Sequence, residues 1–371
     1  MYAQKPAIHA YRADIRIQLF KAVKRTPGRS EQEQDRDAVM VRAYGNGTEL
    51  IIDREREAKS HALLARHNLA PPLLARFHNG LLYTYIDGCA CTPEDLRDSL
   101  IMRATARVLG NWHATLPISE AVGTPLDFEN ISRHLSGKPK TNLWTVMQKW
   151  ITALPDETNE ERDRNAKLAA EVEYATKLLG KTAGLSNGDY VLGHCDLLSG
   201  NVIILPSDSS LKECGKSTTE VNFIDYEYAT PVPAAFDLAN HFAEWGGFDC
   251  DYNVLPTRSQ RREFITEYVK SYRQHEKQAP SRVHGEAINP ASLQQDVNQL
   301  MEEVDAFRGM PGLYWGIWAL IQATISQIDF DYVSYAPLRL GEYYDWKAEM
   351  NGSREKSGKE MPLRERRLAQ D

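Results

Sequence analysis

Two apolar, strand-forming runs, Val202-Ile203-Ile204-Leu205 and Val221-Asn222-Phe223-Ile224, restrict the fold of this chain more than any other feature, because each has a chemically useful polar residue at one end. They read as the arms of a β-hairpin, with a polar loop over 206–220 between them. Asn201 begins the first arm and Asp225 closes the second, so antiparallel pairing puts both at the open end of the hairpin. Asp196 stands five residues before Asn201, in His194-Cys195-Asp196, and Glu227 follows Asp225 by two. A His-x-Asp, an Asn five residues on and an Asp after a strand form the pattern that phosphoryl transfer from a nucleotide uses. A His-x-Asp alone would be read as a loop histidine beside a capping aspartate; the two further residues at the right offsets favour chemistry.

The residue types suit the task. A hydroxyl attacking the terminal phosphate of ATP needs an acceptor for its proton and a positioner for its oxygen, and a fixed carboxylate such as Asp196 does both. Magnesium takes hard oxygen ligands, which the Asn201 amide and the Asp225 carboxylate supply.

The surrounding pattern is that of an α+β chain in two lobes. Residues 39–44 alternate as a strand, Asn46-Gly47 marks a turn, and 49–53 reads as a second strand. Residues 54–68 read as a helix with Ala58, Ala62, Leu63 and Ala65 on one face, and 81–86 as a further strand closed by Asp87-Gly88. From residue 89 the periodicity is helical, with apolar stripes at Ala104, Val108, Leu109 and Trp112 and at Leu168, Val172, Ala175 and Leu179. The expected division is an N-terminal nucleotide-binding lobe over 1–88, with a small antiparallel sheet and one helix. A larger, mostly helical lobe over 89–351 follows, and then a mobile tail over 352–371, which is polar and without periodicity. Strands followed by helices, with the phosphoryl-transfer elements opening the larger lobe, is the lobe order of the protein-kinase-like fold. A protein kinase is excluded, because Asp225-Tyr226-Glu227 replaces Asp-Phe-Gly and no room for an activation loop remains before Asp237. The acceptor is therefore expected to be small.

Composition narrows the partners. In 371 residues, 42% hydrophobic residues suffice for a sizeable core, and a net charge of -7 argues against a general nucleic-acid binder. Five cysteines without a Cys-x-x-Cys pair suggest neither a disulfide framework nor a zinc site, and fit a cytoplasmic location. Residues 313–323, the most apolar run, are too short to cross a bilayer, so no membrane insertion is expected.

The stretches 191–201, 222–245 and 314–335, within a span of about 38–347, resemble the choline and ethanolamine kinases, which share the kinase-like fold of the aminoglycoside phosphotransferases. The resemblance implies ATP and Mg2+ as cofactors, Asp196 as the catalytic base in contact with the substrate hydroxyl, and Asn201 and Asp225 as metal ligands with Glu227 close by. It also implies that Asp237 ties down the loop of Asp196, and that Arg42 pairs with Glu57 to orient the phosphates. Tyr85 and Ile86 would meet adenine on the segment linking the lobes.

The amine pocket has a physical argument of its own. Trp315 and Trp318, three apart, share a helix face, and an ammonium held over aromatic rings gains roughly 0.5–2 kcal/mol per good contact. Seen alone the two tryptophans would be core, but together with Tyr335 and Glu244 they match the family's amine cage, with Asn240 one turn before Glu244. Residues 246–252 and 46–54 look more like ethanolamine kinases, fungal ones in particular, so ethanolamine is the expected acceptor and choline the alternative. Phosphoethanolamine would then feed phosphatidylethanolamine synthesis by the CDP-ethanolamine route, as the family implies. A homodimer is compatible with this reading.

One departure stands out. The family carries a glycine-containing loop between its first two strands, and here the corresponding residues 15–25 have no glycine before Gly28. Either strand residues replace the phosphate cradle or a segment before Met1 is missing. The ATP site is expected to be incomplete, which leaves a catalytically weak amine-binding protein as a further alternative. An aminoglycoside-type kinase would need an open acidic pocket where Trp315 and Trp318 stand.

Overall fold

The computed structural model describes residues 7–11, 18–45, 48–122, 140–185, 190–206, 219–276, 289–326 and 328–371. Strands β1 (Ala7–Tyr11) and β2 (Gln18–Val23), helix α1 (Glu31–Asp35), strand β3 (Val39–Ala43), helix α2 (Arg54–Arg66), and strands β4 (Leu73–Phe77) and β5 (Gly80–Thr84) form the N-terminal part. Its strands make one antiparallel sheet in the order β1-β2-β3-β5-β4. Register pairs Leu19 with both Tyr11 and Arg42. Residues 15–17 of the glycine-free region read over 15–25, the Asn46-Gly47 turn and most of the hairpin loop (207–218) lie outside the described residues.

The expected strand over 49–53 is not formed. Thr48–Leu50 is a single 3-10 turn, and Asp53 instead accepts from the Glu55 and Arg56 amides at 3.2 and 3.0 Å to cap α2. An aspartate placed before a helical run satisfies two orphan amides, and that outweighs the strand propensity of the apolar run before it. Ile51 and Ile52 are buried, and the Ile51 carbonyl accepts from the Trp150 indole at 3.2 Å, stitching this segment to the larger lobe.

The larger part follows with β6 (Cys89–Ala90), α3 (Ser99–Thr115), α4 (Ile118–Val122), α5 (Leu143–Thr152), α6 (Asn159–Leu179), β7 (Val191–Gly193), β8 (Val202–Ile204), β9 (Val221–Phe223) and β10 (Thr230–Val232). Helices α7 (Ala234–Ala243), α8 (Arg258–His275), α9 (Pro290–Phe307), α10 (Met310–Ile325) and α11 (Tyr332–Met350) complete its core. Strands β8 and β9 pair antiparallel with Val202 opposite Phe223, and the Ile224 amide donates to the Asn201 carbonyl at 3.0 Å. The hairpin read from the two apolar runs is therefore present, and Asn201 and Asp225 flank its open end. The stripe on α3 is packed as expected: Trp112 is fully buried and donates to the Leu192 carbonyl at 2.7 Å, beneath the loop that follows β7.

Residues 352–371 do not form the mobile tail that their composition suggested. They fold as α12 (Ser353–Lys356) and α13 (Leu363–Ala369), with Arg364, Glu365 and Leu368 buried. Arg261 donates to the Leu368 carbonyl at 2.6 Å, Arg367 to the Leu255 carbonyl at 2.9 Å, and the Arg258 amide to the Gln370 carbonyl at 2.7 Å. Arginine-to-carbonyl bonds and ion pairs hold this helix, and neither leaves an apolar period in the sequence. The smaller lobe also has a second short helix, α1, beside the one expected.

Candidate active site

Asp196 sits on a loop whose backbone is held from several sides. Asp237, fully buried on α7, accepts from the His194 amide at 2.8 Å and the Cys195 amide at 2.7 Å. Its Oδ2 also meets His113 Nε2 at 2.9 Å, and His113 Nδ1 meets the Tyr268 hydroxyl at 2.8 Å. Asn240, one turn along α7, donates to the Cys195 carbonyl at 3.0 Å, and His194 Nε2 lies 2.9 Å from the Ile224 carbonyl. These bonds hold Cys195 at φ +64°, and Asp225 sits at φ +67°, both in the left-handed region. A non-glycine residue there costs on the order of 1 kcal/mol or more and persists only where its surroundings over-determine it. Gly193 is needed for the same packing, since a Cβ there would come within 2.4 Å of Val232 Cγ2.

Asn201 donates from its amide nitrogen to the Asp196 carbonyl at 2.7 Å and to Asp196 Oδ2 at 3.2 Å, so its side-chain oxygen is the atom left for a cation. Asp196, Asn201, Asp225 and Glu227 all line one cavity of about 410 Å³. Burial first, then the charges of Asp225, Glu244 and Glu227, push the Asp196 carboxyl well above the usual carboxylate range. Burial and Asp225 raise Glu227 to about 8 against the pull of Arg42. The cluster is short of positive charge and rich in hard oxygens, so a divalent cation fits it. Among the described residues no group of three or more His, Cys, Asp or Glu is arranged to hold a metal by itself.

The expected pairing of Arg42 with Glu57 is present only loosely, with Nε 3.6 Å from Oε1. Arg42 instead donates to Asp225 at 2.7 Å and to Glu227. Glu57 accepts from Arg54 at 2.8 Å, and Arg54 also reaches Glu227 at 3.3 Å and the Thr48 hydroxyl at 2.6 Å. Arg54 was not singled out from sequence, where it reads as one charge among several at the start of α2. Tyr85 and Ile86 follow β5 and line the cavity, while the Tyr85 amide is engaged by the Ala38 carbonyl at 3.0 Å. Glu57, Asp237 and Asn240 do not line this cavity; Glu57 borders a smaller one beside Arg42.

Part of the cavity wall is aromatic. Trp315 and Trp318 on α10 lie 5.3 Å apart between ring centroids at 90° and line the cavity together with Tyr335 and Glu244. The Trp315 indole donates to Asn240 Oδ1 at 2.8 Å, so Asn240 joins the Asp196 loop to this wall. Trp318 donates to the Tyr228 hydroxyl at 2.8 Å. Tyr228 and Phe248 also line the cavity. Tyr228 lies in the Asp-Tyr-Glu-Tyr run, three residues after Asp225, which was the one signal in the sequence that could have found it.

Comparison with known proteins agrees with this architecture. Residues 18–344 match the choline/ethanolamine kinase family. Ethanolamine kinase 1 of Mus musculus is 32% identical over 321 residues, covering 85% of this chain and 78% of that protein. Ethanolamine kinase 1 of Homo sapiens is likewise 32% identical, with 85% of this chain and 63% of that protein covered. Among solved structures, Plasmodium vivax ethanolamine kinase superposes with a TM-score of 0.66 at 25% identity over 91% of this chain and 82% of that one. Choline kinase from Cryptosporidium parvum shares the fold, with a TM-score of 0.64 at 20% identity over 95% and 92% of the two chains. The chain belongs to the choline/ethanolamine kinase family and is a phosphotransferase of the two-lobed, kinase-like α+β fold.

Proposed function

We propose that this protein transfers the terminal phosphate of ATP to the hydroxyl of ethanolamine. The observation that carries the reading is the single cavity that joins Asp196, Asn201 and Asp225 on one side to Glu244, Trp315, Trp318 and Tyr335 on the other. The ammonium is received between Glu244 and the aromatic wall, by charge and by the ring quadrupoles. That anchoring presents the hydroxyl, two carbons away, to Asp196. The hydroxyl oxygen forms the new bond to phosphorus as its proton passes to Asp196, and the bond from phosphorus to ADP breaks.

Asn201 and Asp225 would hold Mg2+, with Glu227 close by. A bound magnesium ion supplies positive charge to the phosphate oxygens. Arg42, supported by Glu57 and Arg54, serves the phosphate side, and the segment of Tyr85 and Ile86 meets adenine. The nucleotide would bind between two lobes that divide at about residue 88. Cys89, Cys91, Cys195 and Cys250 are free thiols, which supports the cytoplasm as the compartment. Among the described residues no helix is long and apolar enough to cross a membrane.

Choline is the alternative acceptor, since a trimethylammonium also suits an aromatic cage. Ethanolamine is favoured by Glu244, because a primary ammonium keeps N–H donors that a buried carboxylate rewards. ADP release from the purified protein with ATP, magnesium and each amine in turn tests the choice. A lower KM for ethanolamine than for choline is expected, and preference for choline would reverse it. The residues between β1 and β2 include no glycine. A raised KM for ATP is accordingly expected. A purely amine-binding role is disfavoured, because a dead site has no physical need to keep Asp196, Asn201 and Asp225 in one cavity.

The aromatic wall gives a direct prediction. Trp318→Ala should raise the KM for the amine roughly threefold to thirtyfold while leaving the KM for ATP unchanged, following the worth of one cation–π contact. Trp318→Phe keeps a ring and should show a smaller rise. Steady-state kinetics with each substrate varied in turn checks both, and an unchanged amine KM in Trp318→Ala would make the residue simple core.

A further inference from the structure

Glu244 is the inner end of a buried line of alternating charges. Arg339 on α11, only 1% exposed, places Nη2 3.7 Å from Glu244 and Nε 3.3 Å from Glu342, and donates from Nη1 to the Tyr335 hydroxyl at 3.1 Å. Neither Nη2 nor Nε of Arg339 has a hydrogen-bond partner among the described residues, so the guanidinium is shared between the two carboxylates by charge and locked to neither. Glu342 also faces Arg364 of α13 at 3.8 Å. Arg364 pairs in turn with Glu365 at 3.0 Å, and Glu365 with Arg308 at 2.7 Å. The order outward from the cage is Glu244, Arg339, Glu342, then Arg364 and Glu365 of the C-terminal helix, and last the half-buried Arg308, which follows α9. Arg364 and Glu365 lie after residue 344, where the family match ends.

We propose that Glu342 is a positioning residue for amine recognition: by sharing Arg339 it leaves Glu244 the charge with which to receive the substrate ammonium, and the C-terminal helix sets the share through Arg364. This rests on the reading of Glu244 as the ammonium partner. A guanidinium given wholly to Glu244 cancels the field that an incoming ammonium needs, since both cations compete for one carboxylate in a site of low dielectric. Glu342 draws Arg339 the other way. Arg364 competes for Glu342 and so weakens that draw. Tyr335, a wall of the same cage, is tied to the guanidinium as well, so the position of Arg339 also bears on the ring. Arg364 and Glu365 belong to a helix that lines no part of the cavity, which makes the C-terminal segment a tuning element of the amine site.

The test uses substitutions of opposite expected sign in the full-length protein. Glu342→Gln is isosteric and gives Arg339 to Glu244, so the KM for ethanolamine should rise roughly tenfold. Arg364→Gln releases Glu342 to hold Arg339, so the same KM should fall by about threefold. Arg364→Lys, which keeps the charge, should return toward the unsubstituted value, and the KM for ATP should stay constant in all three. A scaffolding role alone would move both glutamine variants in the same direction. If Arg364→Gln folds poorly, Arg308→Gln carries the same expected sign, because Glu365 is then free to draw Arg364 from Glu342. Glu244→Gln is measured alongside. If it raises the amine KM while Glu342→Gln leaves it unchanged, or while the two glutamine variants move together, the role of Glu342 is overturned and the amine site stands. If Glu244→Gln itself leaves the amine KM unchanged, both fall.

Discussion

Asp196→Asn is expected to lose about 10²- to 10⁴-fold in turnover, the range that general-base catalysis contributes, while keeping its fold and its affinity for ATP. The substitution preserves shape, and the bonds from Asn201 and Leu198 to the Asp196 carbonyl, at 2.7 and 3.0 Å, involve backbone and remain. What disappears is the proton acceptor for the attacking hydroxyl. Because Asp225, Glu244 and Glu227 repel a charge at this position, a neutral amide there should leave thermal stability equal or slightly higher. Loss of turnover with undiminished melting temperature separates a chemical role from a structural one. Full turnover in Asp196→Asn would remove the base assignment.

Asp237→Ala should be the most destabilising single change at the site, by about 3–5 kcal/mol, as for breaking a buried charged network by removing one partner. The carboxylate accepts from two backbone amides and from His113, all out of contact with water. Its removal leaves the His194 and Cys195 amides without an acceptor and releases Cys195 from its left-handed conformation. The Asp196 loop then relaxes, so turnover should fall together with stability. Asp237→Asn retains one acceptor oxygen but brings an N–H toward the others, and an intermediate loss is expected. Denaturant unfolding read beside turnover checks the pair. A melting curve and turnover both unchanged in Asp237→Ala would show that the loop is held by other means.

The legible and illegible parts of this site differ in how far apart in sequence their partners lie. Asn201 and Asp225 were legible because a short hairpin fixes which ends come together, and Trp315 and Trp318 because three residues make nearly one helical turn. Arg54 was not, since its partner Glu227 is 173 residues away and nothing local marks a long-range ion pair. The same holds for Arg339, Glu342 and Arg364. For Arg42, the resemblance implied Glu57 as partner, whereas the guanidinium hydrogen-bonds to Asp225 and Glu227. The strand expected over 49–53 fails for a local reason: the apolar run Leu50-Ile51-Ile52 reads as a strand, but Asp53 after it caps α2. Residues 352–371 read as a tail because a helix secured by arginines has the composition of a solvated segment.

The most direct test of the whole account is phosphorus NMR of the purified protein given ATP, magnesium and ethanolamine. The account predicts a growing phosphomonoester resonance of phosphoethanolamine, matched one for one by ADP and absent with Asp196→Asn. ATP left intact, or ADP formed with inorganic phosphate and no phosphoethanolamine, would contradict it.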